Sequence, residues 1–251
     1  TRLRLIADDL TGALDSAAAF SSVLGRIDVD WRANRGRADG SRAVSTGTRE
    51  QDTSVAAVAA AEAAKSLWAE ANDATLAFFK VDSLLRGHAG AELAAILKAR
   101  PFARVIIATA LPFQGRICRN GRQHVRINDV WSPIGEDLAQ GLRDAGFGVS
   151  VREAGMTIPE GISLWNSTTD ADLDALVQAA LPFGGPLLWV GTAGLAGALA
   201  RHLGPAAGRA AAPRLPLLGL IGTDHPVMGG QIARIGQHHV RLGEDAAGGT
   251  D

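Results

Sequence analysis

Two carboxylates open the chemistry of this sequence. Asp8 and Asp9 stand side by side, after the apolar run Leu3–Ala7 and just before Thr11-Gly12. A carboxylate at a strand end can accept hydrogen bonds from sugar hydroxyls, take a proton from one, or hold Mg2+. One Asp can equally cap the following helix. A cap needs only one of them, so the other is left for a different task. A second group is Lys80-Val81-Asp82-Ser83-Leu84-Leu85-Arg86-Gly87. Here a cation, an acid and an arginine share one strand end and its loop. The planar fork of Arg86 suits a carboxylate or phosphate, and Gly87 lets the backbone turn or approach a ligand. An internal Asp82–Arg86 ion pair that pins the loop is the alternative. Third, Pro112-Phe113-Gln114-Gly115-Arg116 either turns Arg116 into the same cleft or leaves it solvated beside a turn. Fourth, Gly191-Thr192-Ala193-Gly194-Leu195-Ala196-Gly197 follows an apolar run. Glycines at such a strand-to-helix turn can cradle an anion at the helix N-terminus, while Gly197 suits close helix–sheet packing.

These groups need elements to hold them. Periodicity predicts strands at Leu3–Ala7, Ala43–Ser45, Leu76–Val81 and Val105–Ala108. Further strands are predicted at Gly148–Val151, Ile162–Trp165, Leu187–Val190 and Leu217–Ile221. Helices are predicted at Gly12–Leu24, Asp52–Asn72, Ala91–Ala99, Pro133–Ala145, Asp170–Leu181, Ala193–Leu203 and Val227–Ile235. Asn120-Gly121 marks a hairpin within Arg116–Ile127. Ile27–Arg42 reads as a loop with room for a short strand, and Gly204–Pro216 as a linker. Strands alternating with helices define an α/β fold: a mostly parallel sheet flanked by helices, with a small β-hairpin insertion. In such a sheet, ligands bind beyond the carboxyl ends of the strands, where the four polar groups fall.

Composition removes other classes. The 251 residues are 47% hydrophobic and 20% charged, with a formal net charge of -1. No global field favours nucleic acid or an anionic membrane. Cys118 is the lone cysteine, so no intrachain disulfide forms. Thr1-Arg2-Leu3-Arg4 lacks the apolar core of a signal peptide, and no apolar run is long enough to span a bilayer, so a cytoplasmic location is the expectation. The P-loop and nucleophile-elbow patterns do not occur, and His238-His239 makes a poor metal site without a second ligand pair.

In their order, Ala7–Asp15 (ADDLTGALD), Lys80–Glu92 (KVDSLLRGHAGAE) and Pro112–Arg116 resemble the substrate-binding half of the four-carbon acid sugar kinases. Members of that family typically read ADDFTGA-x-D, K-x-DSTLRG-x-x-GAE and P-x-x-GR. Ser45–Arg49 is similar to the family's T-x-TR stretch and Val190–Leu195 to its V-G-S-A-G-L, so the resemblance covers residues 3–200. It implies an ATP-dependent kinase that phosphorylates the terminal hydroxyl of a threonate, erythronate or oxo-tetronate type of sugar acid. Residues 1–210 would be the acid-sugar-binding α/β domain, and 211–251 a linker and the start of a nucleotide-binding domain. ATP and Mg2+ would serve the complete enzyme, with none required to bind this chain. No protein metal site is expected, the partner is the small sugar acid, and a homodimer is left open.

The resemblance also implies site roles. Arg86, with Lys80 or Arg49, would clamp the substrate carboxylate, and Ser83, Gly87 and Arg116 would complete the substrate site. Asp8, Asp9 and Asp82 would bind hydroxyls, one of them acting as the catalytic base. Gly191 and Gly194 would face the cofactor. Two departures stand out. Leu84 replaces the family's Thr, removing a hydroxyl. Ile221–Val227 matches the family's G-S-x-S-P-V-T only loosely, and about 150 further residues would be needed for an ordinary second domain. A non-catalytic sugar-acid-binding module is therefore the alternative, and a structural domain whose motif residues only form ion pairs is a third.

Overall fold

The computed structural model describes residues 1–31, 40–69, 72, 74–183, 187–204, 221, 226–235 and 240. β1 (Arg2–Ala7) leads through α1 (Leu10–Leu24) to β2 (Ile27–Asp30) and β3 (Ser41–Ser45). α2 (Thr53–Leu67), β4 (Thr75–Lys80), α3 (Ala89–Ala99) and β5 (Arg104–Ala108) follow. A meander of β6 (Arg116–Arg119), β7 (Arg122–Ile127) and β8 (Val130–Pro133) interrupts the alternation. α4 (Leu138–Asp144), β9 (Val149–Arg152), β10 (Gly161–Trp165), α5 (Asp170–Ala180), β11 (Leu187–Gly191) and α6 (Ala193–Leu203) complete the series.

Among the described residues, eight strands form one sheet in the order β2-β3-β1-β4-β11-β5-β10-β9, every pairing parallel. Its two faces follow from side-chain alternation along each strand. Leu3, Leu5, Phe78, Ile106 and Trp189 bury against α1, α5 and α6. Ile6, Phe79, Val105, Ile107 and Val190 bury against α2, α3 and α4. Near-continuous apolar strands such as Leu76–Phe79 are what a sheet covered on both faces requires.

The register sets up the site. Ala7 pairs with Ser45 on one side and Lys80 on the other, and Gly191 pairs with both Lys80 and Ala108. Five strands therefore end level. The segments that follow them carry Asp8-Asp9, Thr46–Arg49, Val81–Gly87, Thr192 and Thr109–Leu111 to one edge.

Several boundaries differ from the periodicity reading. The predicted helix Pro133–Ala145 shrinks to Leu138–Asp144, because Pro133 closes β8 opposite His124 and the Asp137 carboxylate accepts the Gln140 N–H as the cap. The hairpin thus gains a third strand through Asn128-Asp129, both left-handed (φ 48° and 63°), a conformation that Asn and Asp tolerate. α2 stops at Leu67 rather than Asn72, and β2 lies in the stretch read as a loop. The predicted strand Leu217–Ile221 lies outside the described residues except Ile221, as do the linker beyond Gly204 and His238-His239.

Backbone contacts divide the chain into Thr1–Ala210 and Ala211–Asp251. In the second unit the described residues contain the helix α7 (Pro226–Ile235). Among the described residues no helix is long and apolar enough to cross a membrane.

Glycine use on α6 gives a stability test. A Cβ on Gly194 would overlap the Ala110 carbonyl oxygen, whereas one on Gly197 would meet only Arg201 Nη1 at 3.5 Å. Gly194→Ala should cost about 2 kcal/mol in urea unfolding through overpacking. Gly197→Ala should stabilise by about 0.5–1 kcal/mol through helix propensity.

Candidate functional site

The acid pair divides its work. Asp9 is the N-cap of α1: its Oδ1 accepts the Gly12 N–H at 2.9 Å. Asp8 is buried and faces Arg49, whose Nε and Nη2 donate to its two oxygens, each at 2.8 Å. The same Nη2 reaches Asp9 Oδ1 at 2.7 Å. Burial works against the Arg49 charge, but the Asp8 hydrogen bonds and the charges of Asp8, Asp9 and Asp82 outweigh it and hold the guanidinium ionised. Gly87 has φ +83°, and a Cβ there would stand 3.2 Å from Asp8 Oδ2. Glycine is favoured by the left-handed backbone, and its missing Cβ leaves room for the close approach to Asp8.

The β4 loop carries a second pair. Asp82 Oδ2 accepts from the Leu84 N–H (3.0 Å) and Arg86 Nε (2.9 Å), and its Oδ1 accepts from Arg86 Nη2 at 2.8 Å. Burial pushes the Asp82 carboxyl up, but the Arg86 hydrogen bonds and the Arg49 charge pull it down to about 2. The Asp82–Arg86 ion pair is therefore formed, with the Arg86 side chain 60% exposed. Lys80 is buried, and its Nζ donates to the Val81 carbonyl at 2.9 Å. Burial lowers its pKa, and Asp8, Asp82 and Asp9 oppose that shift.

Arg116 differs from its neighbours. It enters from β6, and its Nη1 donates to Ser83 Oγ and Gln114 Oε1, each at 2.5 Å. Its Nε is buried with no hydrogen-bond partner, and among the described residues no carboxylate lies within ion-pair distance. Burial lowers its pKa. Gln123, which sequence reasoning did not single out, ties the meander to the site. It accepts from the Thr109 hydroxyl at 2.6 Å, and its amide donates to the carbonyls of Ser83 (2.8 Å) and Thr109 (2.9 Å). Cys118 sits deep in this junction, where burial pushes its thiol up to about 12 and removes it as a nucleophile.

These side chains enclose a cavity of about 120 Å3. Asp9, Arg49, Lys80, Asp82, Ser83, Arg86 and Arg116 line it. Thr11, Gly12, Asp15, Leu111, Gln114, Thr192 and Ala193, which were not among the site candidates, line it too. Thr192 caps α6, so the N-termini of both α1 and α6 open on the cavity and favour an anion there. Asp8 lines instead a neighbouring groove of about 570 Å3 with Trp31 and Glu50. Gly191 and Gly194 do not line the cavity: added Cβ atoms would overlap the carbonyl oxygens of Ala108 and Ala110. Close approach of the β11 end to Ala108 and of the α6 start to the segment after β5 accounts for Gly191 and Gly194, and Gly197, expected to be the packing glycine, is the uncrowded one. Leu84 is not among the lining residues, so the missing hydroxyl does not face the cavity. Among the described residues no group of three or more His, Cys, Asp or Glu could hold a metal ion, and Asp8, Asp9 and Asp82 are all engaged by arginines.

An open parallel sheet with a polar cavity beyond its strand ends is a small-molecule-binding α/β domain. A sugar-binding N-terminal domain family matches residues 3–153. The chain belongs to that family, and with it to the four-carbon acid sugar kinases. Two relatives, the D-threonate kinases of Salmonella typhimurium and Cupriavidus necator, are each 30% identical, over 79% and 91% of this chain. The chain spans 53% and 62% of their lengths. A solved domain of unknown function from Bordetella bronchiseptica, a domain-swapped dimer with bound citrate, shares the fold. It is 24% identical with a TM-score of 0.61, and the match covers 80% of this chain and 56% of that one.

The low carboxyl pKa of Asp82 predicts an acid limb of stability. The group is held near 2 in the folded chain against an ordinary 3.8. Its contribution is present above the ordinary value and is lost as pH falls toward 2. Urea midpoints should drop more steeply from pH 4 to 2 in the wild type than in Asp82→Asn, and parallel curves would refute the assignment.

Proposed function

We propose that this chain binds a four-carbon sugar acid of the threonate type and holds it for phosphorylation of its terminal hydroxyl in a complete, cytoplasmic kinase. The carrying observation is Arg116: a partly buried guanidinium with no acid partner among the described residues, beside a small cavity onto which two helix N-termini open. A substrate carboxylate supplies what that group lacks, and a charge-assisted fork is the strongest contact available to it. Arg49 and Arg86 are already occupied by Asp8 and by Asp82. The clamp therefore falls on Arg116, with Lys80 adding charge from the cavity floor.

The acids take separate roles in this reading. Asp8 anchors Arg49 and lies outside the cavity. Asp82, at about 2, is too weak a base to accept a hydroxyl proton and serves to hold Arg86. Asp9 lines the cavity and uses only Oδ1 on Gly12 and Arg49, which leaves Oδ2 for a substrate hydroxyl. Asp9 is the acid placed to receive the proton of that hydroxyl. ATP with Mg2+ supplies the phosphoryl group in such an enzyme, and the present residues position its acceptor. The D-threonate kinase relatives support this class of substrate. The citrate on the Bordetella bronchiseptica neighbour is a hydroxy acid of related chemistry, and its dimer supports a homodimer.

A second reading concerns what the chain does by itself. Every residue lining the cavity lies between Asp9 and Ala193, within the first unit. On this reading the first unit supplies the cavity lining, and the chain binds a sugar acid in the absence of ATP.

Calorimetric titration with D-threonate, erythronate and oxo-tetronate, without ATP, tests both readings. One of them should bind saturably, and Arg116→Ala should weaken it about 10- to 100-fold, the value of a charged hydrogen bond. Arg86→Ala should weaken it less. Equal affinity in wild type and Arg116→Ala would sink the assignment.

A further inference from the structure

Glu92 closes the second sequence motif, and the proposed site gives it no task. It lies in the first turn of α3 and is 2% exposed. Three contacts lead from it to the first strand. Glu92 Oε1 lies 2.8 Å from Thr48 Oγ1, Thr48 Oγ1 lies 2.7 Å from Thr46 Oγ1, and Thr46 Oγ1 lies 3.2 Å from the Ala7 carbonyl oxygen. Each contact needs one proton between its two oxygens. The two threonines supply two protons and the carbonyl none. The third proton can come only from a carboxyl that is protonated.

We propose that Glu92 is a protonated positioning residue that donates to Thr48 and so holds the Thr46–Arg49 turn, coupling the sugar-acid site to pH. The turn matters because the Thr48 and Arg49 N–H groups donate to the Asp8 carbonyl at 2.9 and 3.3 Å, next to the Arg49 fork on Asp8. Ionisation of Glu92 releases its proton to water and leaves two protons for three contacts. Thr48 then turns its proton to the new carboxylate, Thr46 turns to Thr48, and the Thr46 hydroxyl leaves the Ala7 carbonyl, which keeps the Thr46 N–H at 2.9 Å.

The electrostatic surroundings agree. Burial pushes the Glu92 carboxyl from an ordinary 4.5 up to about 7, with Asp8 from the β1 loop and Glu136 from the loop before α4 adding to the rise. His88, the N-cap of α3, opposes it, as does the Thr48 hydroxyl in the ionised arrangement, where it donates to the carboxylate. His88 is itself tied to Thr53 Oγ1 at 3.0 Å and to the Gln51 carbonyl at 2.7 Å. Arg49 faces Asp8 rather than Glu92, and Glu62 and Lys65 stand in the last two turns of α2, the helix packed along α3. For a carboxyl raised on folding, the stabilisation is complete below the ordinary value and is lost as pH rises through about 7.

The inference about affinity rests on the proposed substrate site; the inference about the proton does not. Glu92→Gln separates the two, because its amide donates to Thr48 without titrating. Exchange protection of the Thr48 and Arg49 amides, corrected for intrinsic rates, should fall from pH 6 to 8 in the wild type and stay level in Glu92→Gln. D-threonate affinity should follow the same profiles, about tenfold weaker one pH unit above the folded pKa in the wild type alone. Amides that behave alike in both proteins, or an affinity that stays level while the amides loosen, would overturn the proposal. Amides that behave as expected in a chain binding no sugar acid would uphold the role of Glu92 and remove the substrate reading.

Discussion

The fork of Arg49 on Asp8 and Asp9 is the interaction on which the rest of the site depends. It joins residues 41 and 40 positions apart and ties the loops after β1 and β3 together. A buried pair of this kind contributes little net stability against an apolar replacement, yet losing one partner is costly because a charge is stranded. Its value here is placement. With Arg49 fixed, Asp9 is free to cap α1, Gly87 can bring the β4 loop against Asp8, and Asp82 sits 3.7 Å from Arg49 Nη2.

The parallel sheet makes that placement possible. Level strand ends deliver five polar segments to one edge, and the helices leaving them depart to opposite faces. Once the ion pairs close, the charges no longer act as independent ligands. Four basic side chains line the cavity (Arg49, Lys80, Arg86 and Arg116), and two of them are committed to internal acids. In the proposed reading, recognition falls to the remaining pair and to the two helix N-termini. The meander, braced by Gln123, brings Arg116 to this place from outside the sheet.

The sequence shows where polar groups meet strand ends, because a buried parallel strand is an apolar run and its end is where that run stops. Asp8-Asp9 and Lys80–Gly87 were legible on that basis, as was the α/β class, whereas Ser45–Arg49 was legible only through the family resemblance. The partners were not. Whether Arg86 faces Asp82 or a ligand depends on side-chain geometry within a loop, and Arg49 meets Asp8 only after a long-range pairing. Arg116 read as either solvated or inward, and Gln123 carried no motif at all. Gly191 and Gly194 show a second use of a glycine-rich strand-to-helix turn: added Cβ atoms would overlap the carbonyl oxygens of Ala108 and Ala110, while the α6 N-terminus at Thr192-Ala193 still opens on the cavity. The second hairpin turn, Asn128-Asp129, had a usable signal in two residues that tolerate left-handed backbone.

The central claim is that internal acids occupy Arg49 and Arg86 and that Arg116 is left for the substrate. A crystal structure of the chain with D-threonate tests it most directly. The account predicts the substrate carboxylate on Arg116, with Arg49 still forked on Asp8 and a hydroxyl near Asp9. A carboxylate seated on Arg49 or Arg86, with the Asp8 or Asp82 pair broken, would contradict it.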